Sequence, residues 1–460
     1  MGSFATENEL PTATEAPAVY TLNDAGRAAQ FVDNHLDEVR YVPAFGRWLL
    51  WAGHHWQQDE DGGITRLAVK HSQQLIAAAA TIANDAARRE AVKEALAMGN
   101  AKRIQLTLEL AKCDRRVVLS QNDIDSDPFL LGVQNGVVEL RTGTFRAGRR
   151  DDLITKRAGV SYVPGATCPR WLTFISEVLG DDQALVAYVQ KLMGYTLSGD
   201  VREHLFPFLY GSGKNGKSVF TETTLKLMGD YGQKAPQSIL IASPNGREPT
   251  SEVARLHGMR LVVGSETEEG SRLAESRVKD LTGGDTLTGR FLYAEFFDFK
   301  PRFKLWMFGN HKPEIRGTDE GIWRRVRLIP FLVHFADHRQ DPQLAAKLAD
   351  ELPGILQWAM DGARLWLSDG LKSPPRVNEA SAEYREEEDT LADFLGDEVE
   401  DAPTGRIESG EMFLYYQAWA ARNGIRYPLT LRSLTKQLRE RGMRLTRTNG
   451  KRRWEGVSLK

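Results

Sequence analysis

At 460 residues, 41% of them hydrophobic, the chain is too long for one ordinary domain and long enough for two or three, each with its own core. With 60 Lys+Arg against 62 Asp+Glu the formal net charge is −2, so no global field marks a nucleic-acid partner and any basic surface has to be local. Cys113 and Cys168 stand far apart with no CxxC and no histidine cluster, and no apolar run approaches the about 18 residues of a membrane span; neither a zinc site, a disulfide framework nor a membrane partner is expected, and a reducing cytoplasm is.

Residues 1–20, rich in Ala, Thr, Pro and Glu, read as a disordered tail. An Asx-capped helix is expected from Asn23 to about Leu36, followed in VRYVPAFGRWLLW by two short β-rich runs around a Pro/Gly turn. The aromatic run GRWLLWAGHHW reads as core in preference to a base-stacking surface. Residues 66–115 are proline-free and rich in helix formers, and FLLGVQNGVVELRTGTFRAG alternates around Asn-Gly and Thr-Gly turns as a hairpin does. PRWLTFISEVLGDDQALVAYVQKLMGYTLSG returns to helix.

Residues 210–220 read YGSGKNGKSVF, in which Gly211, Gly216, Lys217 and Ser218 satisfy GxxxxGK[ST]. Phosphates need backbone N–H groups at close range, which glycine permits, a lysine for the β and γ oxygens, and a hydroxyl for Mg²⁺. The loop Gly211, Ser212, Gly213, Lys214, Asn215, Gly216, Lys217, Ser218 and Val219 is therefore the expected site for ATP and Mg²⁺. HLFPFLY before it reads as a buried parallel strand, and SVFTETTLKLMG after it as a helix ending at Gly229. A second strand in RLVVGSETEEG runs out into carboxylates; Glu266 is the expected acidic residue for Mg²⁺ and the attacking water, with Glu268 as the alternative. A third, FKLWMFGN, ends at Asn310, whose amide would reach the γ-phosphate, and DEGIWRRVRLIPF places Arg324 or Arg325 as an arginine finger for a neighbouring subunit, or as cover for a surface carboxylate.

The runs GSGKNGKSVF, RLVVGSETEEG, VKDLTGGDTLTGRFLYAEFFDFKPRFKLWMFGNHKP and DEGIWRRVRLIPF, in this order, resemble superfamily 3 helicases, and within them the phage and plasmid primase-helicase family that includes the poxvirus primase-helicase and the satellite-phage alpha-type primases. The resemblance covers about residues 30–370. It implies an α/β fold with an AAA+-like P-loop ATPase core, a ring that is most often a homo-hexamer, and movement along single-stranded or forked DNA. It also implies a helix end and hairpin between Lys279 and Lys300 whose Lys279, Arg290 and Lys300 meet the DNA backbone, with the neighbouring subunit's nucleotide as the alternative for Lys279. Many relatives carry two adjacent acidic residues where this chain has Ser265 and Glu266, and the primase half of the family is not expected here; a separate primase or polymerase would supply it.

Between Asn378 and Glu411 there are 13 acidic and 2 basic residues, and between Arg422 and Lys460 there are 12 basic and 2 acidic. The basic end reads as a helix and two strands around an Asn-Gly turn, a winged-helix-like layout in which Lys451, Arg452 and Arg453 would touch phosphates; pairing of the basic end with the acidic stretch, or docking on another subunit, is the alternative. The expected organisation is a tail (1–20), an N-terminal α+β and helical domain (21–175), the ATPase (176–370), an acidic linker or helical segment (371–410) and the basic module (411–460). The expected function is an ATP-dependent DNA helicase of phage, plasmid or prophage replication in a bacterial cytoplasm. An origin-melting switch and a noncatalytic nucleotide-gated DNA-binding protein are the alternatives.

Overall fold

The computed structural model describes residues 20–21, 23–242, 250–264, 271–291, 295–315, 320–425, 428–448 and 450–460; residues 1–19 of the expected disordered tail, Glu266 and Glu268 lie outside them. The chain divides into two compact units, one of residues 1–127, 135–137 and 146–156, the other of residues 128–134, 138–145 and 157–460.

In the first unit α1 (Asp24–His35) starts where its cap predicts, with Asn23 Oδ1 accepting the Gly26 N–H at 2.9 Å. Strands β1 (Val39–Val42) and β2 (Arg47–Trp51) pair antiparallel around the Pro/Gly turn, and β3 (Trp56–Gln58) pairs with β2. The proline-free stretch breaks into three helices, α2 (Gly63–Ala80), α3 (Asp85–Met98) and α4 (Ala101–Ala111). The first break falls at Asn84, whose side chain caps α3 by accepting the Ala87 N–H at 3.0 Å. Phe31, Val32, Trp48, Ile64, Ile104 and Leu108 form one core and Val42, Leu49, Trp56 and Ile124 a second, so the aromatic run is largely interior. The alternating segment, whose residues are divided between the two units, forms strands β4 (Leu130–Val133), β5 (Gly136–Glu139) and β6 (Thr144–Arg146).

The second unit continues through α5 (Pro169–Val178), α6 (Gln183–Leu197), β7 (Phe206–Tyr210), α7 (Lys217–Met228), β8 (Gly232–Ala235), α8 (Gln237–Leu240), α9 (Thr250–Ala254) and β9 (Leu261–Gly264). Then follow α10 (Glu275–Gly283), β10 (Leu287–Gly289), β11 (Phe297–Phe299), β12 (Lys304–Gly309), α11 (Glu320–Trp323), β13 (Val326–Pro330), α12 (Leu344–Asp350) and α13 (Leu352–Asp369). Five of these strands make one sheet in the order β13-β7-β12-β9-β8, and every neighbouring pair is parallel. Successive residues enter opposite cores: Leu209, Leu261, Val263, Trp306 and Ile329 face one, and Phe208, Val262, Leu305, Met307 and Leu328 the other. Burial on both faces is why these strands read as continuous apolar runs.

The acidic stretch is folded. It holds α14 (Pro375–Glu387), α15 (Thr390–Glu398) and β14 (Val399–Glu408), and α16 (Ser409–Arg422), α17 (Leu431–Glu440), β15 (Arg444–Thr448) and β16 (Lys451–Leu459) follow. The last three strands form an antiparallel sheet in the order β14-β16-β15. Leu391, Phe394 and Ile407 from the acidic stretch pack with Tyr416, Trp419, Leu438 and Trp454 in a separate core, so residues 390–408 are an integral part of the basic module. No helix among the described residues is long and apolar enough to cross a membrane, and no group of three or more His, Cys, Asp or Glu among them is placed to hold a metal ion.

Candidate functional site

The loop Gly211–Gly216 leaves the C-terminal end of β7 and enters α7 at Lys217, the strand–loop–helix context in which a phosphate meets a helix N-terminus. Two glycines are dictated by geometry. A Cβ on Gly211 would lie 2.1 Å from the Phe331 carbonyl oxygen, and Gly216 holds φ +85° with a Cβ position 2.5 Å from Val178 Cγ1. The Lys217 side chain is turned inward, 4% exposed. Its Nζ donates to Asn215 Oδ1 at 3.1 Å, to Asn310 Oδ1 at 3.0 Å and to the Gly211 carbonyl.

Asn310 reaches that lysine because of strand register. Gly309 of β12 is paired with Tyr210 of β7, so the residue after each strand, Asn310 and Gly211, emerges at the same level. On the far side of β12, Gly264, the last residue of β9, pairs with Met307; Glu266 lies outside the described residues. The three strands singled out from the sequence are thus adjacent, with the Asn310 strand in the middle.

A cavity of about 400 Å³ opens beside the loop, lined by Gly213–Val219, Asn310, and Phe174 and Glu177 of α5, with Phe335, Arg339 and Leu344 closing another wall. Ser218 is exposed on it. The wall after β13 is tied to the loop: Asn215 Nδ2 donates to the Phe331 carbonyl at 2.9 Å, Phe335 N–H to the Lys214 carbonyl at 2.9 Å, and Lys214 Nζ to Asp337 Oδ1 at 2.6 Å. Sequence reasoning missed Phe174, Phe335 and Asp337. They come from segments about 40 residues before and 120 after the loop, and nothing local marks them.

The two candidate finger residues separate. Arg324 is exposed, whereas Arg325 is 7% exposed, donating from Nε to Thr282 Oγ1 at 3.1 Å and from Nη1 to the Gly321 carbonyl of its own chain. Lys279 lies half-buried on α10, and Arg290 and Lys300 are exposed just beyond β10 and β11, which pair as a hairpin. A buried cation that the motifs did not single out begins β12. Burial, with Arg260 close by, pushes the Lys304 amine well below its ordinary range while Nζ donates to the Ser198 and Asp200 carbonyls, far from the loop end of the sheet.

In the C-terminal module Lys451 Nζ is paired with Glu408 Oε2 at 2.8 Å, Arg453 is half-buried and Arg452 is exposed. Other basic residues share the surface: Arg447 lies directly opposite Arg452 across the strands, and Arg432, Lys436 and Arg439 are exposed along α17. Like charges in register repel, which favours an anion over them.

Residues 28–180 match the family model "D5 N terminal like", and residues 209–325 match a "Family of unknown function (DUF5906)". The chain is 31% identical over 297 residues to a protein of Acanthamoeba polyphaga mimivirus named "Putative helicase", a match covering 60% of this chain and 31% of that protein. It is 24% identical over 385 residues to a "Putative helicase" of Frog virus 3, covering 65% and 39%, and 24% identical over 325 residues to a "Putative primase" of African swine fever virus, covering 64% and 34%. The chain spans about a third of the length of these curated relatives. A solved structure of the NrS-1 C terminal region has the same fold at a TM-score of 0.50 with 10% identity, covering 95% of this chain and all of that one. Together the matches support a D5-like class within the mixed α/β folds.

Proposed function

We propose that this chain is the ATP-hydrolysing motor of a DNA helicase of the superfamily 3 type, with an AAA+-like core working as a homo-hexameric ring. The observation that carries the proposal is the contact between Lys217 and Asn310. A buried ammonium held on neutral oxygens at a helix N-terminus is a donor set suited to a polyphosphate, and the group that shares it sits on the next strand, where a change at the γ-phosphate would be felt.

On this reading Lys217 and the loop hold the phosphates, and Ser218 with Glu266 would hold Mg²⁺. That ion, when bound, offsets the negative charge on the transferring phosphoryl group. Asn310 exchanges its lysine contact for one that depends on the γ-phosphate. Arg324, exposed where Arg325 is engaged within the chain, is the finger offered to a neighbour's nucleotide. Lys279, Arg290 and Lys300 face DNA from α10 and the hairpin, and the α17–β15–β16 layout with its exposed arginines acts as a winged-helix-like DNA contact. The names of the viral relatives support a role in genome replication. The proposal includes a phage, plasmid or prophage setting in a bacterial cytoplasm and a separate primase or polymerase as partner.

The test is ATP hydrolysis with and without single-stranded DNA, together with strand displacement on a forked substrate. DNA-stimulated hydrolysis with displacement is expected, and Lys217→Ala is expected to lower kcat on the order of 10²–10³-fold. Hydrolysis indifferent to DNA, or unaffected by Lys217→Ala, overturns the motor assignment; hydrolysis without displacement leaves the origin-melting switch.

A further inference from the structure

We infer that α14 is a strut joining Asn310 to Arg324, with Tyr384 and Glu388 as positioning residues through which the exposed finger responds to the nucleotide. The inference rests on the motor reading and deepens it, because it names side chains outside the cavity that couple one end of the proposed reaction to the other.

Asn310 leaves β12 into a short segment, residues 310–315, that α14 holds at two points. The Tyr384 hydroxyl donates to the Pro313 carbonyl, and Glu388, which caps the end of the helix, accepts the Ile315 N–H at 2.9 Å. Between these contacts Lys312 Nζ is paired with Glu387 and lies 5.0 Å from the Tyr210 ring centroid and 5.3 Å from that of Tyr384. Tyr210 is the last residue of β7, directly before Gly211, so the helix is tied to both strand ends that meet at Lys217.

The same turns of α14 hold α11. The Tyr384 ring, 1% exposed, meets Trp323 edge-on with centroids 5.4 Å apart, and Arg385 is paired with Glu320. The Glu320 carbonyl in turn accepts the Arg324 N–H at 3.0 Å. One side chain therefore touches the segment after Asn310 through its hydroxyl and the residue before Arg324 through its ring. Ile315, Ile322, Trp323 and Tyr384 share one core, and a close-packed interior passes a displacement on because it has no free volume to absorb it. Packing of the helix on the sheet is provided elsewhere, by the buried Val377 and by Ser381, whose Oγ accepts the Leu328 N–H at 3.0 Å. The polar contacts to Pro313 and Ile315 are additional to that packing. A change at the γ-phosphate that shifts Asn310 thus shifts residues 313–315, then Tyr384, then α11 with its arginine.

The experiment is hydrogen–deuterium exchange read by mass spectrometry on the full chain, with and without AMP-PNP and Mg²⁺. It is run in an Arg324→Ala parent, so that the finger's own contact with a neighbour's nucleotide does not contribute. The analogue is expected to slow exchange at residues 306–315 and 320–328 together. Adding Tyr384→Phe, which keeps the ring on Trp323 and removes only the hydroxyl, retains the first effect and loses the second. With Arg324 intact, Tyr384→Phe is expected to lower DNA-stimulated kcat about fivefold, the worth of one hydrogen bond, with KM for ATP and Tm unchanged. Glu388→Ala lowers kcat likewise, and Glu388→Gln, whose amide oxygen still accepts the Ile315 N–H, restores it. Slowed exchange confined to residues 306–315 in the parent overturns the inference, as does slowing of both segments that survives Tyr384→Phe. An unchanged kcat in Tyr384→Phe overturns it as well, and a fall in Tm and ATP affinity together makes the contact structural only. Failure of the parent to bind AMP-PNP, or of the wild type to turn over ATP, sinks the motor reading and the strut with it.

Discussion

Arg324 and Arg325 differ by one position, yet one is exposed and the other buried, because the end of α11 turns one guanidinium onto Thr282 and the Gly321 carbonyl and leaves the other outside. Arg325→Ala is expected to lower Tm, since it leaves buried acceptors without a donor at a cost on the order of 1–3 kcal/mol. Arg324→Ala is expected to keep Tm and to reduce DNA-stimulated turnover by on the order of 10³-fold, as loss of a trans finger does; full turnover in that variant places the finger elsewhere. A titrating residue gives a second measurement at this scale. His71 is 2% exposed, 3.2 Å from the His35 ring, and burial together with that neighbour lowers its pKa from 6.5 to about 4. Below about 6.5 the unfolded chain takes up this proton and the folded chain does not until about 4. Stability is therefore expected to fall as pH drops through that window. Urea unfolding at pH 7 and pH 5 checks it, with His71→Phe predicted to flatten the difference.

At the scale of elements, the loop Gly211–Gly216 is bound into the surrounding architecture by its own side chains. Its asparagine holds the Phe331 carbonyl and its exposed Lys214 holds Asp337, so the segment after β13 is the back wall of the cavity. Gly216→Ala is expected to strain the αL turn and press on Val178, costing roughly 1 kcal/mol or more and weakening nucleotide binding measured by calorimetry. Gly99→Ala, at φ −70° with ordinary contact distances, is the control that leaves both unchanged. Most elements were legible in the sequence: the Asn23 cap, the β-runs around the Pro/Gly turn, the strand–loop–helix around Gly211–Lys217 and the hairpin before β12 all depend on short-range chemistry. What the sequence hid is where long helical stretches break, at Asn84 and Gly99–Asn100, since helix formers continue on both sides.

At the scale of the whole chain, the balanced total charge conceals opposed blocks that end up in one folded module, where Lys451 meets Glu408 and Arg441 meets Asp389. The pairing alternative therefore holds for Lys451 and Arg441, while Arg452 and Arg447 stay exposed. Arg452→Ala is expected to reduce the salt dependence of DNA binding by about one in log–log slope, and Lys451→Ala by less because that amine already has a carboxylate; equal slopes for the two would contradict this surface. The candidate site was legible only in part. Lys217, Ser218 and Asn310 could be named because a phosphate loop and a strand end have local signatures, while Phe174, Phe335 and Asp337 could not.

The amino-acid sequence by itself determined that a glycine-rich GxxxxGK[ST] loop joins a buried strand to a helix, that an amide ends another apolar strand, and that charge is segregated toward the C-terminus, because each follows from residue types a few positions apart. Only the tertiary structure decided that the Asn310 strand lies between the other two, that Arg325 is inside and Arg324 outside, and that the acidic stretch belongs to the basic module's core. Those outcomes depend on strand order, register and the packing of two sheet faces. These are properties of residues far apart along the chain, for which local periodicity holds no signal.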